Sequence, residues 1–355
     1  MKILIPLVVS FGNQGGWRVL SQLANFWTEN GHHVVFLSPD DTKPYYPTTA
    51  DILFYDLKGN VTHEYLSDNR KKHFLGVLKI RQSLKKAINK LDVDIVLATQ
   101  SLTAGPVAKS KNKARKFYYI QAYEPDFYHD LSFKNRILKR LTVNSYKLNL
   151  FKIVNSEMYK SYREIKTDMY VPPGIDLSIF FPANKTNSEK IIIGTIGRAE
   201  KHKGTQFVIE AFRQLRKQNE GDFELHIAFG DKGQEEDGIK VLHPHGDTNL
   251  AKFYNSIDVY VCAQTIQLKA IHYPILECMA CKTSIITTGY FPANDENAFI
   301  IPIEDSNAIV EAILTYKNSK KIIIDDKIKN GFKEVQQFDW RIVSEKMIDY
   351  FNGSK

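Results

Sequence analysis

Ile191-Ile192-Ile193-Gly194-Thr195-Ile196-Gly197-Arg198-Ala199-Glu200-Lys201-His202-Lys203-Gly204 is the stretch on which the fold turns. Isoleucine at four of its first six positions makes a short, unbroken apolar run. That is the pattern of a strand buried on both faces of a parallel sheet. A strand is predicted over 191–195 and a helix over 205–218. Gly197-Arg198 closes the strand and Lys203-Gly204 precedes the helix. A diphosphate needs cations that reach its oxygens and a backbone close enough to donate N–H groups. Arg198 offers a bidentate fork, Lys203 a point charge, and the glycines a close approach. Taken alone, a strand ending in Gly-Arg is equally an ordinary turn.

The same alternation extends in both directions. Downstream, strands are predicted at 223–229, 239–242, 259–263 and 284–287, with helices at 250–256 and 275–280. Upstream, strands are predicted at 3–9, 33–38, 52–55, 95–98 and 116–121, with helices at 17–30 and 74–90. Val171-Pro172-Pro173-Gly174 separates the two runs, and 340–351 is an amphipathic helix. Strands alternating with helices on both sides of a Pro-Gly linker imply an α/β protein of two Rossmann-like domains. Ligands of such sheets bind at the carboxyl ends of the strands.

A chain of 355 residues, 43% hydrophobic and 25% charged, has the balance of a soluble globular protein of two domains. Its apolar N-terminus, 1–9, is short, lacks a small-residue cleavage site and runs into Gly12-Asn13-Gln14-Gly15-Gly16. It reads as a buried strand and turn, not a targeting segment. No apolar stretch approaches the ~20 residues that span a bilayer, so a cytoplasmic location is expected. Cys278 and Cys281 have CxxC spacing but no second pair, which favours buried thiols in a reducing compartment over a zinc site. No metal is expected: Asp92-Val93-Asp94 reads as the solvated start of a strand, and Asp325-Asp326 as a solvated loop.

Charge is unevenly spread. Residues 1–174 hold 26 Lys and Arg against 15 Asp and Glu, whereas 175–355 hold 22 against 25. The first half therefore faces something anionic. Nucleic acid is not expected, because no recognition motif accompanies the charge. An anionic membrane surface or a phosphate-bearing acceptor remains. The basic segments 70–75 and 134–152 mix cations with Phe, Leu, Ile and Tyr, as interfacial helices do and as solvated helix faces do.

A second motif is His272-Tyr273-Pro274-Ile275-Leu276-Glu277-Cys278-Met279-Ala280-Cys281-Lys282-Thr283. Proline near the first turn marks a helix N-terminus, whose unpaired N–H groups suit a phosphate or sugar oxygen. Glu277 either accepts from ribose hydroxyls or complements the helix dipole.

Together these motifs resemble the GT-B glycosyltransferases of family 4. Gly197-Arg198 and Lys203-Gly204 match that family's strand–Gly-Arg–Lys-Gly–helix pattern. Pro274 to Ala280 matches its Pro-x-x-Glu-x-Met-Ala donor motif, and Pro172-Pro173-Gly174-Ile175-Asp176 resembles its linker. Asn155-Ser156-Glu157 and Phe338-Asp339-Trp340 are similar to the segment before that linker and to the helix that crosses back. The resemblance implies two Rossmann-like domains facing each other across a cleft. It puts an acceptor-binding domain at 1–172, joined by 338–355, and a donor-binding domain at 173–337.

The resemblance further implies that Arg198 and Lys203 hold the donor diphosphate and Glu277 the ribose. Tyr273, Pro274, Ile275 and Leu276 would complete that helix start, His245 would line the nucleobase pocket, and Gly15 and Gly16 would lie near phosphate or acceptor. The family has a second glutamate eight residues before Glu277, facing the donor sugar; here it is Lys269. Tyr118-Tyr119-Ile120-Gln121-Ala122-Tyr123-Glu124-Pro125-Asp126-Phe127-Tyr128 and Tyr273-Pro274-x-Leu276-Glu277 resemble a branch of bacterial rhamnosyltransferases of cell-surface polysaccharide assembly. Gln121, Tyr123 and Glu124 are then acceptor candidates, with Glu124 also a catalytic one; alternatively 123–125 is only a rigid aromatic loop.

The expected activity is retaining transfer from dTDP-L-rhamnose, or from a UDP-hexose, to a glycan or lipid-linked acceptor at the inner face of the cytoplasmic membrane. No cofactor beyond the nucleotide sugar is implied. A catalytically impaired partner subunit and a nucleotide-sugar epimerase of the same fold are the alternatives. Gly12 to Gly16 lacks the Gly-x-Gly-x-x-Gly spacing of a dinucleotide dehydrogenase.

Overall fold

The structure, a computed structural model, describes residues 1–66, 74–128, 132–167, 169–184, 188–197, 199–218 and 221–353, without the side chains of Phe74, Leu75 and Lys134. The chain divides into two compact units, residues 1–173 with 340–355, and residues 174–339.

The first unit runs β1 (Lys2–Pro6), α1 (Gly15–Glu29), β2 (His33–Ser38), β3 (Asp51–Tyr55), β4 (Val61–Thr62), α2 (Phe74–Ile88), β5 (Ile95–Ala98), α3 (Ser101–Ala108), β6 (Arg115–Ile120), α4 (Phe133–Ser145), β7 (Phe151–Val154) and β8 (Met169–Tyr170). Its sheet has the order β4-β3-β2-β1-β5-β6-β7-β8, and only the β3–β4 pair is antiparallel. β1 and β5 are neighbours although five elements separate them, so the winding reverses between them. That is the switch point of an open α/β sheet. Past the exposed Lys2 the central strands are buried, Ile3, Leu4, Ile95, Val96 and Leu97 being fully covered.

The second unit runs β9 (Ile191–Ile196), α5 (Thr205–Gln218), β10 (Phe223–Ala228), β11 (Ile239–Leu242), α6 (Asp247–Ser256), β12 (Val259–Cys262), α7 (Tyr273–Ala280), β13 (Ser284–Thr287), β14 (Phe299–Ile300), α8 (Ser306–Asn318) and α9 (Lys321–Val335). Its strands are all parallel, in the order β11-β10-β9-β12-β13-β14. The isoleucines of β9 serve both faces: Ile193 packs with Phe212 and Leu215 of α5, while Ile192 and Ile196 pack toward Tyr254 and Tyr260. The switch point here lies between β9 and β12.

The last helix, α10 (Trp340–Gly353), belongs to the first unit. It buries Trp340, Val343, Ser344, Met347 and Phe351, the spacing of one apolar stripe. Trp27 Nε1 donates to the Ser344 carbonyl at 3.2 Å, and Phe351 sits 4.7 Å from the Phe117 ring.

Some expectations need correction. Asp325 and Asp326 lie inside α9, not in a loop. α9 turns Gly331 and Val335 inward, Gly331 lying against Met279 of α7, and leaves both aspartates on its exposed face. The basic stretch 134–152 is a helix followed by the start of a strand, since β7 begins at Phe151. Residues 70–73 lie outside the described residues. Asp92 and Asp94 do precede β5; Asp92 pairs with the Lys2 ammonium at 2.8 Å, and Asp94 accepts the Lys2 amide at 2.7 Å.

Candidate active site

The switch point of the second unit brings together the loops that leave β9 and β12. Thr265 N donates to the His202 carbonyl at 3.0 Å, which ties the two loops. Gly204 closes the first of them with φ +76°, and a Cβ there would fall 2.0 Å from the Ala263 carbonyl oxygen. Only glycine meets both conditions. Gly197 lies against Gly230, where a Cβ would come 2.6 Å from its Cα. Arg198 lies outside the described residues.

Lys203 reaches across this junction. Its Nζ donates to Gln264 Oε1 at 3.1 Å, Gln264 Nε2 meets His272 Nε2, and His272 Nδ1 lies 3.9 Å from Cys262 Sγ. The chemistry of the groups gives this chain a direction. An ammonium only donates, so the Gln264 oxygen must face Lys203 and its NH2 must face His272. His272 Nε2 therefore accepts, and the ring proton resides on Nδ1, toward the sulfur. Burial pushes the Cys262 thiol up to about 11, so the sulfur end stays neutral.

His272 is also the N-cap of α7, with Pro274 in the first turn. Tyr273 and Pro274 are half-buried at this helix start, and Ile275 and Leu276 are fully buried. Glu277, one turn further on, is 2% exposed and accepts from Tyr254 Oη at 2.8 Å. Burial, then the Glu277 charge, raises the Tyr254 phenol well above its ordinary value, so it remains a donor. Lys269 stands on the loop between β12 and α7 with φ +73°, exposed, its amide donating to the Gly289 carbonyl at 3.1 Å. His245 is exposed after β11, two strands from β9, and its carbonyl accepts from Asn249.

In the first unit, Gly15 and Gly16 open α1, whose N-cap Gln14 makes no side-chain cap. Gln121, just past β6, lies beside them: its Oε1 is 3.3 Å from where a Gly16 Cβ would be. Asn155 Nδ2 donates to the Gln121 carbonyl at 2.8 Å. Gln121 Oε1 and Asn155 Oδ1 are both buried and have no donor among the described residues. Tyr123 stacks on Tyr146 at 5.8 Å and meets Tyr162 edge-on. Glu124 faces α3, accepting from Ser101 N at 2.8 Å, Ser101 Oγ at 2.5 Å and Tyr118 Oη at 3.3 Å. Burial raises the Glu124 carboxyl above its usual range, against the lowering effect of the Ser101 bonds.

Residues 190–318, which contain the whole Lys203–Gln264–His272 array, match the family described as glycosyl transferases group 1. This segment is thus similar to a group 1 glycosyltransferase domain. The chain is accordingly a glycosyltransferase enzyme, and its two sheets give it the GT-B fold. Sucrose-phosphate synthase from Thermosynechococcus elongatus superposes with a TM-score of 0.75 over 99% of this chain and 98% of that one, at 17% identity. A glycosyltransferase from Rickettsia africae gives 0.69 over 99% and 97%, also at 17% identity. HepE from Anabaena, solved with UDP-glucose, gives 0.69 over 99% of both chains at 15% identity. Identities this low carry the fold alone. No curated protein matches the sequence.

Two members of the glycosyltransferase's array were not among the expected site residues. Gln264 lies two residues past the end of β12, and a polar residue at the carboxyl end of a strand beside the switch point is a usable signal. His272 opens the second motif. Tyr254, which faces Glu277 from α6, carries no local signal at all.

Proposed function

We propose that this glycosyltransferase moves a sugar from a nucleoside diphosphate sugar to a hydroxyl of a glycan or lipid-linked acceptor, with the anomeric configuration retained. One observation carries most weight: Lys203 is held by Gln264 at the carboxyl end of β9, close in the fold to the start of α7. In this reading Arg198, Lys203 and the first N–H groups of α7 receive the diphosphate, and Glu277 takes the ribose hydroxyls. The segment at His245 lines the base, and Lys269 faces the sugar. Gly15 and Gly16 serve the phosphate or the acceptor, and Gln121, Tyr123 and Glu124 the acceptor.

In the chemical step the bond from the anomeric carbon to the diphosphate oxygen breaks, and the acceptor oxygen bonds that carbon on the same face. The acceptor proton passes to the departing phosphate oxygen. Negative charge builds on the diphosphate, and preorganised cations and amides stabilise it more than they stabilise the ground state. The buried acceptor oxygens of Gln121 and Asn155 suit sugar hydroxyls, which can donate to them. The donor is first dTDP-L-rhamnose, on the resemblance of 118–128 and 273–277, and second a UDP-hexose, since HepE was solved with UDP-glucose. The setting is cell-surface polysaccharide assembly, with the basic first unit peripheral on an anionic membrane; among the described residues no helix is long and apolar enough to cross one.

Thermal shift against dTDP, UDP and GDP tests this, followed by hydrolysis assays with the matching nucleotide sugars. Stabilisation by one pyrimidine diphosphate and slow hydrolysis of its sugar form are expected. No stabilisation by either pyrimidine diphosphate rejects the donor class.

A further inference from the structure

The first unit contains a hollow of about 680 Å³ that the proposed donor site does not use. It is lined by Tyr146 and Lys147 after α4, Lys152 in β7, and Arg163, Glu164 and Lys166 before β8. Four cations thus meet one carboxylate. Among the described residues none of the four is ion-paired, whereas nearby Lys160 is bridged to Glu157 at 3.0 Å. Lys152 is the most constrained. Its ammonium carries three donors, and one of them reaches the Leu150 carbonyl at a long 3.5 Å. Burial lowers its pKa, a sign that the charge is partly stripped of water without compensation. Crowding like charges around a concavity costs free energy unless an anion enters.

The wall of the hollow ties it to the acceptor segment. Tyr146 lines it, and its hydroxyl accepts the Glu124 amide at 3.1 Å and lies 3.4 Å from the Ala122 carbonyl. Burial holds that phenol neutral. An occupant would therefore lie one side chain away from 121–124. The space exceeds what one phosphate group fills and falls in the range of pockets for small organic ligands.

We propose that this hollow is an anion site that binds a phosphate or diphosphate ester through Lys147, Lys152, Arg163 and Lys166. Resting on the glycosyltransferase reading, the ligand is the phosphate-bearing end of the acceptor. A free sugar phosphate and a lipid headgroup present the same chemistry.

The test uses the full chain with saturating UDP, so that the nucleotide site is filled. Pyrophosphate is titrated calorimetrically, and flotation is measured with phosphatidylcholine vesicles with and without phosphatidic acid. Wild type is compared with Arg163→Glu/Lys166→Glu, two exposed positions, and with Lys152→Met. The site predicts pyrophosphate binding that weakens by about tenfold or more in both variants, as lost charge-assisted bonds should give, while UDP affinity is unchanged. Capture only by phosphatidic acid vesicles, lost in the variants, supports the site with a lipid headgroup as its ligand. No binding of either probe, or binding that both variants retain, overturns it. Failure of UDP to bind, with pyrophosphate still sensitive to the variants, sinks the nucleotide reading and leaves the anion site standing.

Discussion

The Lys203 ammonium donates to Gln264 Oε1 at 3.1 Å, and that bond decides which way round the amide lies. Because the amide is fixed, so is the tautomer of His272 beyond it. Lys203 is thereby held at the β9 loop, which would reduce the entropy lost if it receives the diphosphate as proposed. Lys203→Ala should weaken UDP binding by about 10- to 100-fold, the worth of a hydrogen bond to a charged group. Gln264→Leu, which removes only the anchor, should weaken it by about fivefold. Calorimetric titration with UDP checks both; equal losses would mean that Gln264 touches the ligand itself.

The far end of the array is tested by substitution. His272→Phe keeps an aromatic ring but removes the acceptor that the Gln264 NH2 meets, so the amide loses the bond that orients it. UDP affinity should fall by about fivefold, as for loss of one neutral hydrogen bond. An unchanged affinity in calorimetric titration would discard the relay.

Gly204 tests whether the two loops act as one piece. A methyl group there must adopt a left-handed backbone and displace the Ala263 carbonyl, which is backbone and cannot rotate aside. Gly204→Ala should cost about 2–4 kcal/mol in chemical denaturation, combining backbone strain with overpacking. UDP affinity should fall with it, because Ala263 immediately precedes Gln264.

The architecture was largely legible because its decisive signals are local. The isoleucine run of β9, the Pro-Gly linker and the strand–helix alternation all lie within a few residues of sequence. What escaped depends on distant chain. The three-helix content of 101–108, 306–318 and 321–335 is packed against other helices, and α3 even contains Pro106. β4, β8 and β14 are two residues each and exist only because a neighbour pairs them. At the candidate site, motifs single out Lys203 and Glu277, whereas Gln264 enters only through its bond to Lys203, and Tyr254 only through its bond to Glu277. Glu124 is a candidate from its place after β6; that it faces the start of α3 depends on Ser101, 23 residues earlier.

Stability in acid should reflect a cluster on β10. Glu224 accepts from Lys240 at 2.8 Å and Lys190 at 3.3 Å, with His226 Nε2 at 3.4 Å, and the Lys240 bond foremost pulls its carboxyl down to about 2. A folded pKa below the unfolded one of about 4.3 gives stability that is present above that value and lost as pH falls toward about 2. Burial lowers the His226 pKa, so its neutral form is favoured in the fold and stability also declines as pH drops below about 6.5. Tm should therefore fall in two stages between pH 7 and pH 2, and Glu224→Gln should make the lower one shallower, leaving the part owed to Asp56, Asp92 and Glu236, whose carboxyls are also lowered. At pH 7 that substitution should cost about 1 kcal/mol, since solvent screens a partly exposed pair.

Glu124 separates a chemical role from a positioning one. Its carboxylate satisfies Ser101 N and Oγ at the start of α3, where a negative charge also complements the helix dipole. Glu124→Ala leaves those donors without their partner and should cost about 2 kcal/mol in chemical denaturation. Glu124→Gln keeps an acceptor for Ser101 N and relieves a carboxyl whose raised pKa marks its ionised form as disfavoured by burial. Relative to that variant, wild-type stability should decline as pH rises through the Glu124 titration, because the fold prefers the protonated form. If Glu124 only positions the 121–128 segment, Glu124→Gln should retain most of the turnover. Loss of turnover by about 100-fold or more with Tm intact would instead make its carboxylate a participant in proton transfer.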